Sequence, residues 1–240
     1  MTEIGTDRTL ESLVEESPAR ARVFESLGLD YCCGGDQTLA TACEEAGLDV
    51  DIVRDRVAEA SNRSDWDAAD YEWDDLEDLA DHVVDAHHDY LREELPKLGD
   101  IVETVADVHG ENHPELREVE AEFHELAAEM REHIDEEEEE LFPVVGKLDR
   151  GEDLSVEEVE RLREAIRTFE EDHAATANRL ERIADLTEDY AVPDDACPSY
   201  RSMLERLGHL ERDTHMHVHK ENNVLFERAG DRLTAASAKH

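Results

Sequence analysis

Two stretches of ten residues decide the fold: HIDEEEEELF at residues 133–142 and HVHKENNVLF at residues 217–226. Each begins with a His-x-x-x-Glu step and ends in Leu-Phe. Residues four apart lie on one face of an α-helix, so each step places an imidazole beside a carboxylate. The same motif therefore stands twice in a chain whose apolar residues recur at helical spacing.

One histidine upstream of each motif stands at nearly the same distance from it. His88 stands 45 residues before His133, and His173 stands 44 residues before His217. Such a repeat indicates two similar helical hairpins that pack together. We therefore predict an all-α protein, a four-helix up-down bundle preceded by a small N-terminal helical domain.

The apolar stripe of a helix indicates which of its polar side chains face the core. In the second long helix the stripe passes through His133 and Glu137. Only one glutamate of the run at 136–140 then faces inward, and the others are expected to form a solvated face. In the third helix His173 lies in the middle of the stripe.

The apolar stripe identifies the inward-facing polar residues more clearly in the fourth helix than in the first. In the fourth helix only His217 and Glu221 lie on the stripe. In the first helix His87 and His88 both fit it, so spacing alone leaves this choice open.

Buried carboxylates need a positive partner. A carboxylate alone in an apolar core costs several kcal/mol or becomes protonated. Two glutamates among four inward imidazoles predict a pair of divalent or trivalent cations that the glutamates bridge or cap. Six protein ligands leave positions open for an oxo or hydroxo bridge and a small exogenous ligand. Imidazole and carboxylate suit iron, but also manganese or zinc.

Glycine, proline and polar residues mark the domain boundaries. We predict a small helical domain at 1–61, a linker at 62–74 and the bundle at 75–240. The helices expected in the first domain are Leu10–Glu16, Pro18–Leu27, Asp36–Ala46 and Val50–Ala60. Those expected in the bundle are Asp75–Leu95, His113–Glu140, Ser155–Leu186 and Tyr200–Arg228.

Several further residues have local structural roles. Ser155 and Glu158 match a capping box, and Pro143 and Gly146 are expected to end the second bundle helix. The residues expected only to pack or to face solvent are Cys43, Cys197, His82, His87, His113, His124, His209, His215, His219 and His240.

The composition limits the partners. The formal charge of -42 comes from 66 acidic and 24 basic residues. Such a surface repels phosphate backbones and anionic lipids, which argues against nucleic acid and membrane partners. We interpret it as adaptation to a salty cytoplasm, where screening removes the self-repulsion, and expect thermal stability to rise toward molar KCl. No long apolar run and no signal peptide are visible, so a cytoplasmic location is expected.

The two half-motifs resemble the hemerythrin-like cation-binding domain. The ending ENNVLF at 221–226 is similar to one branch of that group, the RIC family of di-iron proteins for repair of iron centres. The second hallmark of this branch is a small N-terminal domain with Asp-Tyr-Cys-Cys-Gly-Gly, which stands here at 30–35. The resemblance covers about Leu10 to Arg228.

The resemblance implies a ligand set. Two iron ions, oxo- or hydroxo-bridged, would be held by His88, His133, Glu137, His173, His217 and Glu221. This set also selects His88 over His87. The resemblance further implies that His109 lies near the metal pocket and handles protons. Lys220, the basic residue before the second glutamate, is given no role.

The implied activity is repair of iron-sulfur clusters damaged by nitric oxide or oxidants, with the di-iron centre donating iron to client proteins. The alternatives are a nitric oxide reductase, a sensor or carrier of nitric oxide or oxygen, and a bundle stabilised by zinc. The thiols of Cys32 and Cys33 would pass iron or electrons, since thiolate is a soft metal ligand and a nucleophile. The alternative for them is a reduced, packed pair. The oligomeric state is left open, with a homodimer among the options.

Overall fold

The computed structural model describes residues 4–32, 35–60, 73 and 75–237. Within these ranges the regular elements are helices and no β-strand occurs, which confirms the all-α class. No helix in the described ranges is long and apolar enough to cross a membrane. The predicted linker at 62–74 falls almost entirely outside them, so the domain boundaries stay a prediction.

Short helices build the first domain. In its described residues these are α1 (Leu10–Glu16), a 3-10 turn (Pro18–Arg20), α2 (Ala21–Glu25), α3 (Leu39–Glu45) and α4 (Val50–Ala60). Thr9 and Thr38 fix the starts of α1 and α3, because their hydroxyls accept hydrogen bonds from backbone N–H groups in the first turn. An isolated antiparallel bridge joins the same two threonines. Apolar side chains of these helices form one buried cluster.

Four long helices form the second unit of the described chain, and three of them include one π-helical segment. The first bundle helix comprises α5 (Leu76–Val83), a π segment (Val84–His88) and α6 (Asp89–His109). The second comprises α7 (Leu116–Glu136), a π segment (Glu137–Leu141) and α8 (Phe142–Asp149). The third is α9 (Val156–Leu186), and the fourth comprises α10 (Pro198–Lys220), a π segment (Glu221–Phe226) and α11 (Glu227–Ser237). Consecutive helices pack together and the fourth returns to the first, which closes the predicted bundle.

The first bundle helix is longer than the sequence predicts. An end was expected at Leu95, but α6 continues through Pro96 to His109. A proline inside a helix removes one backbone hydrogen bond and costs about 3 kcal/mol. Leu95 and Leu98 on either side of it are fully buried, and this packing offsets the cost.

The second bundle helix also continues beyond its predicted end. Pro143 does not stop it, because this proline stands in the first turn of α8, directly after the π segment. The first turn of a helical segment does not need the missing N–H, so α8 extends through Gly146 to Asp149. The predicted capping box of Ser155 and Glu158 is confirmed.

The first domain packs on the fourth bundle helix. Met216 and Val218 of α10 belong to the buried cluster of the first domain. The hydroxyl of Tyr31 donates to the Met216 sulfur over 3.5 Å, and the Tyr31 ring meets the imidazoles of His215 and His219 edge-on. The residue before the cysteine pair is therefore anchored on the helix that carries the second motif.

Candidate metal centre

The six predicted ligands meet inside the bundle. They come from all four bundle helices and are His88, His133, Glu137, His173, His217 and Glu221. Five of them are at most 2% exposed, and the side chain of His133 is 12% exposed. The structure thus brings together the whole set, and it places His88 rather than His87 among these donors.

Two overlapping groups of four donors occur in the described part of the chain. The first, position one, consists of His88, His217 and both glutamates. The second, position two, consists of His133, His173 and both glutamates. Within each group one donor atom per residue lies within 4.8 Å of the others. Because Glu137 and Glu221 are common to both groups, they stand where bridging carboxylates of a two-metal centre would stand.

Three of the ligands lie in the π segments. His88 ends the first of these, while Glu137 and Glu221 begin the second and third. A π turn contains more residues than an α turn, so it shifts the direction of the side chains that follow it, and such turns are frequent at functional sites. The helices therefore turn their ligands toward one centre while the flanking α-helical turns keep their packing.

The donor atoms are spaced as the ligands of a metal ion are. The Nε2 atoms of His88 and His217 are 3.1 Å apart, and those of His133 and His173 are 2.9 Å apart. Ligands bound to one ion at about 2.1 Å lie about 3 Å from each other. Imidazole Nε2 atoms lie between 3.0 and 3.9 Å from the glutamate oxygens, yet none of these oxygens accepts a hydrogen bond within the described residues. Buried carboxylates that accept no hydrogen bond are expected where they bind a cation.

Burial and the carboxylates set the charges of the imidazoles. Burial lowers the pKa of His88, but the carboxylates of Glu137 and Glu221 outweigh it and raise that pKa to about 10. Burial also lowers the pKa of His173, while Glu221 raises it to about 9. For His217 burial dominates, and its pKa falls to about 4. The two glutamates thus require positive charge, which protons on imidazoles or metal ions supply.

The outer nitrogens of two ligands have acceptors. His88 Nδ1 lies 2.7 Å from Glu138 Oε1, which also accepts from Arg92 over 2.8 Å. His173 Nδ1 lies 2.7 Å from Asn222 Oδ1. An Nδ1–H that donates leaves the Nε2 lone pair for a metal, so both contacts assign the tautomer that a ligand needs. The interpretation of Glu138 as part of a solvated face is therefore wrong, because this residue supports His88.

A buried polar layer lies behind position one. The ring of His87 stacks on His217, with centroids 5.4 Å apart, and its Nδ1 is 3.1 Å from Asp213. Lys220 Nζ lies 2.9 Å from His87 Nε2 and 2.7 Å from His82 Nε2. Lys220, to which the sequence assigned no role, is therefore buried against the centre. Its position beside Glu221 in the chain was the only signal for this.

The other predicted site residues lie elsewhere. His109 is not near the metal pocket, because 21 residues of one helix separate it from His88, about 31 Å at the α-helical rise. Its Nε2 atom lies 3.2 Å from Cys197 Sγ instead. Cys32 is 5% exposed, and its thiol donates to Asp30 over 3.3 Å. Cys33 lies outside the described residues.

Three consecutive residues connect the centre with Tyr31, the residue before Cys32. Glu221 is a candidate ligand, Asn222 accepts from His173, and Asn223 donates to the backbone oxygen of Tyr31 over 3.1 Å. The Nδ2 of Asn223 also lies 2.9 Å from His219 Nδ1. The third π segment thus contacts the candidate metal ligand His173 and also Tyr31, the residue next to Cys32.

This fold and site define a class: a hemerythrin-like bundle with a candidate two-metal centre, joined to a small helical domain with a cysteine pair. Residues 79–229 match the hemerythrin HHE cation binding domain. Residues 6–61 match ScdA_N, a domain of unknown function.

Whole proteins with the same organisation are also similar to this chain. The iron-sulfur cluster repair protein ScdA of Staphylococcus haemolyticus is 33% identical over 225 residues, which are 94% of this chain and 99% of the relative. The iron-sulfur cluster repair protein YtfE of Yersinia pseudotuberculosis is 30% identical over 223 residues, 93% of this chain and 96% of the relative. Similar over nearly its full length to both, the chain belongs to the ScdA and YtfE family of iron-sulfur cluster repair proteins, which confirms the predicted family.

Proposed function

We propose that this chain is a di-iron protein that repairs iron-sulfur clusters damaged by nitric oxide or oxidants, and that it does so by donating iron. The observation that carries the proposal is the pair of donor groups that share both buried glutamates. The family relationship supports iron as the metal, because the relatives ScdA and YtfE are iron-sulfur cluster repair proteins.

Each ligand has a distinct part in this proposal. His88 and His217 would hold one iron ion, His133 and His173 the second, and the glutamates would bridge them. Bound iron would supply open coordination positions for a small bridging or diatomic ligand. Glu138 and Asn222 keep the imidazoles in the metal-binding orientation, since each lies 2.7 Å from a ligand Nδ1.

The chemistry of the donor set favours release of iron to a cluster protein. All six side chains supply nitrogen or oxygen, whereas iron-sulfur clusters are held by thiolates. Soft thiolate ligands select the iron of such clusters, so a damaged cluster site competes well for iron held by imidazole and carboxylate. The partly exposed His133 places position two nearest to solvent. Iron-sulfur proteins as clients and a cytoplasmic location belong to this proposal.

A reactivation assay tests the proposal. An iron-sulfur dehydratase is inactivated with nitric oxide, freed of excess nitric oxide and incubated without oxygen with the iron-loaded full chain. We expect activity to return while iron leaves this protein in proportion. The Glu137→Ala, Glu221→Ala double variant should not restore activity.

The same assay separates the alternatives. Formation of nitrous oxide in the presence of excess nitric oxide, with the iron retained, would favour the nitric oxide reductase. Binding of the gas without nitrous oxide and without reactivation would favour a sensor. Either result in place of iron transfer contradicts the repair proposal. The roles predicted for Cys32 and Cys33 stay predictions.

A further inference from the structure

A thiol and an imidazole meet at the end of the bundle that is remote from the candidate metal centre. Cys197 precedes the first turn of α10, and its sulfur lies 3.2 Å from His109 Nε2 at the end of α6. His217 follows Cys197 by 20 residues on this helix, about 30 Å along its axis. The pair is therefore separate from the six candidate ligands.

The surroundings hold His109 against the thiol. The His109 ring lies 5.3 Å from the ring of Tyr200, and Tyr200 in turn meets the ring of His113 edge-on. The nearby carboxylate of Asp195 lies 3.1 Å from His113 Nε2. Asp195 thus pairs with His113, while the Nε2 atom of His109 lies 3.2 Å from the sulfur.

The sulfur lies at the start of a long helix. Cys197 is the N-cap residue of the 23-residue helix α10, and its side chain makes no capping hydrogen bond to the N–H groups of the first turn. Such groups and the helix dipole attract an anion. The adjacent imidazole is the second feature that accompanies reactive cysteines in proteins. Cys197 is only partly buried, so small reagents can reach it.

We propose that Cys197 and His109 form a second chemical site, in which the Cys197 thiol is oxidised by small hydroperoxides. His109 Nε2 takes the thiol proton, and the thiolate sulfur attacks one oxygen of the peroxide. The S–O bond forms as the O–O bond breaks, and with hydrogen peroxide the leaving hydroxide takes the proton from His109 to give water. The sulfur loses two electrons and becomes a sulfenic acid, while the peroxide is reduced. This site does not depend on the proposed function of the metal centre.

The chain contains its own reference thiol. Cys43 is 1% exposed in the core of the first domain, and burial raises the pKa of its thiol. It should therefore react slowly as long as the protein is folded. His113 is a matched control for His109, because it borders the same tyrosine but faces Asp195 instead of the sulfur.

The test is site-resolved labelling of the full chain. One sample receives iodoacetamide, and a second receives hydrogen peroxide with dimedone, which traps sulfenic acid. Mass spectrometry then gives the labelling rates of the peptides with Cys197 and Cys43. We expect Cys197 to react at least about tenfold faster than Cys43 in both samples. Since iodoacetamide requires no oxidant, that sample measures the thiol itself, free of any reaction between peroxide and bound iron.

The histidine variants decide whether the pair acts as proposed. His109→Gln should lower both rates of Cys197 by about tenfold, and His113→Gln should leave them within about twofold. If His109→Gln unfolds the chain, the rate of Cys43 will rise, and His109→Asn then replaces it. Equal rates for Cys197 and Cys43, an unchanged Cys197 rate in His109→Gln, or alkylation without sulfenic acid would each overturn the proposal.

Discussion

The two candidate metal positions share their glutamates but differ in access to solvent. In position one the side chains of His88 and His217 are 0% and 2% exposed. In position two the side chain of His133 is 12% exposed, although His173 is buried. The donors of the two candidate positions are chemically equivalent, so the positions differ in enclosure and not in ligand type.

The residues behind the ligands differ in the same sense. Position one is backed by the Glu138 contact of His88 and by the stacked ring of His87. In position two, Asn222 supports His173. Each position also has one imidazole whose Nδ1 has no hydrogen-bond partner in the described chain, His217 in position one and His133 in position two. The ring of His87 covers His217, whereas His133 is partly exposed. We therefore expect position two to exchange its metal first.

The largest effect is expected when both shared ligands are removed. In the Glu137→Ala, Glu221→Ala double variant, iron bound per chain should fall from about two to near zero, because both positions lose their carboxylates. Metal analysis of protein purified without oxygen measures this. Retention of both irons would remove the basis for the ligand assignment. Glu140→Ala is the matched control, since this glutamate is exposed.

The next effect separates the two positions. Chelator-driven loss of iron from the unmodified chain should have two phases whose rates differ by at least about tenfold, the fast phase belonging to position two. His133→Ala should lack the fast phase and keep about one ion, whereas His88→Ala should lack the slow phase. Stopped-flow absorbance of the iron–chelator complex measures both phases. A single phase in the unmodified chain would contradict the expectation that position two loses its metal faster than position one.

A smaller effect is expected from the residues that orient the imidazoles. Glu138→Ala should weaken metal binding at position one, and Asn222→Ala at position two, each by about 10- to 100-fold. Competition with a chelator of known affinity gives these values. Again Glu140→Ala serves as the control for the glutamate run. Equal weakening in Glu140→Ala and Glu138→Ala would show a general charge effect in place of orientation.

The smallest effect concerns pH and the metal-free chain. The folded-state pKa values of about 10 for His88 and about 9 for His173 lie above the ordinary value of 6.5. Protonation of these residues then stabilises the fold fully below about pH 6.5, and this contribution is lost as pH rises through 9 to 10. Urea unfolding of the metal-free chain should therefore show lower stability at pH 10 than at pH 6.5. This loss of stability between pH 6.5 and pH 10 should be smaller in the metal-loaded chain. It should also be smaller in the His88→Gln, His173→Gln double variant.

Much of the fold could be predicted because helix faces leave a clear pattern. The stripe that passes through His133 and Glu137 correctly singled out the one fully buried glutamate of the acidic run. The repeat of the motif with its upstream histidine predicted which four helices meet. Both features depend on spacing within one helix or along the chain, which the sequence shows directly.

Features that depend on contacts between distant residues could not be predicted. The support of His88 by Glu138 and the burial of Lys220 arise only when helices far apart in sequence pack together. The π segments have no hydropathy signal, and packing overrides the helix-ending preference of Pro96. The prediction that His109 lies near the metal pocket was wrong, because the resemblance did not show that the first bundle helix continues to His109.

The metal content of the unmodified chain tests most directly whether six side chains hold two iron ions. The full chain is purified without oxygen, and iron, manganese and zinc are quantified by plasma emission against protein concentration. We expect about two irons per chain, with little manganese or zinc. An iron content near zero, or zinc in both positions, would contradict this expectation.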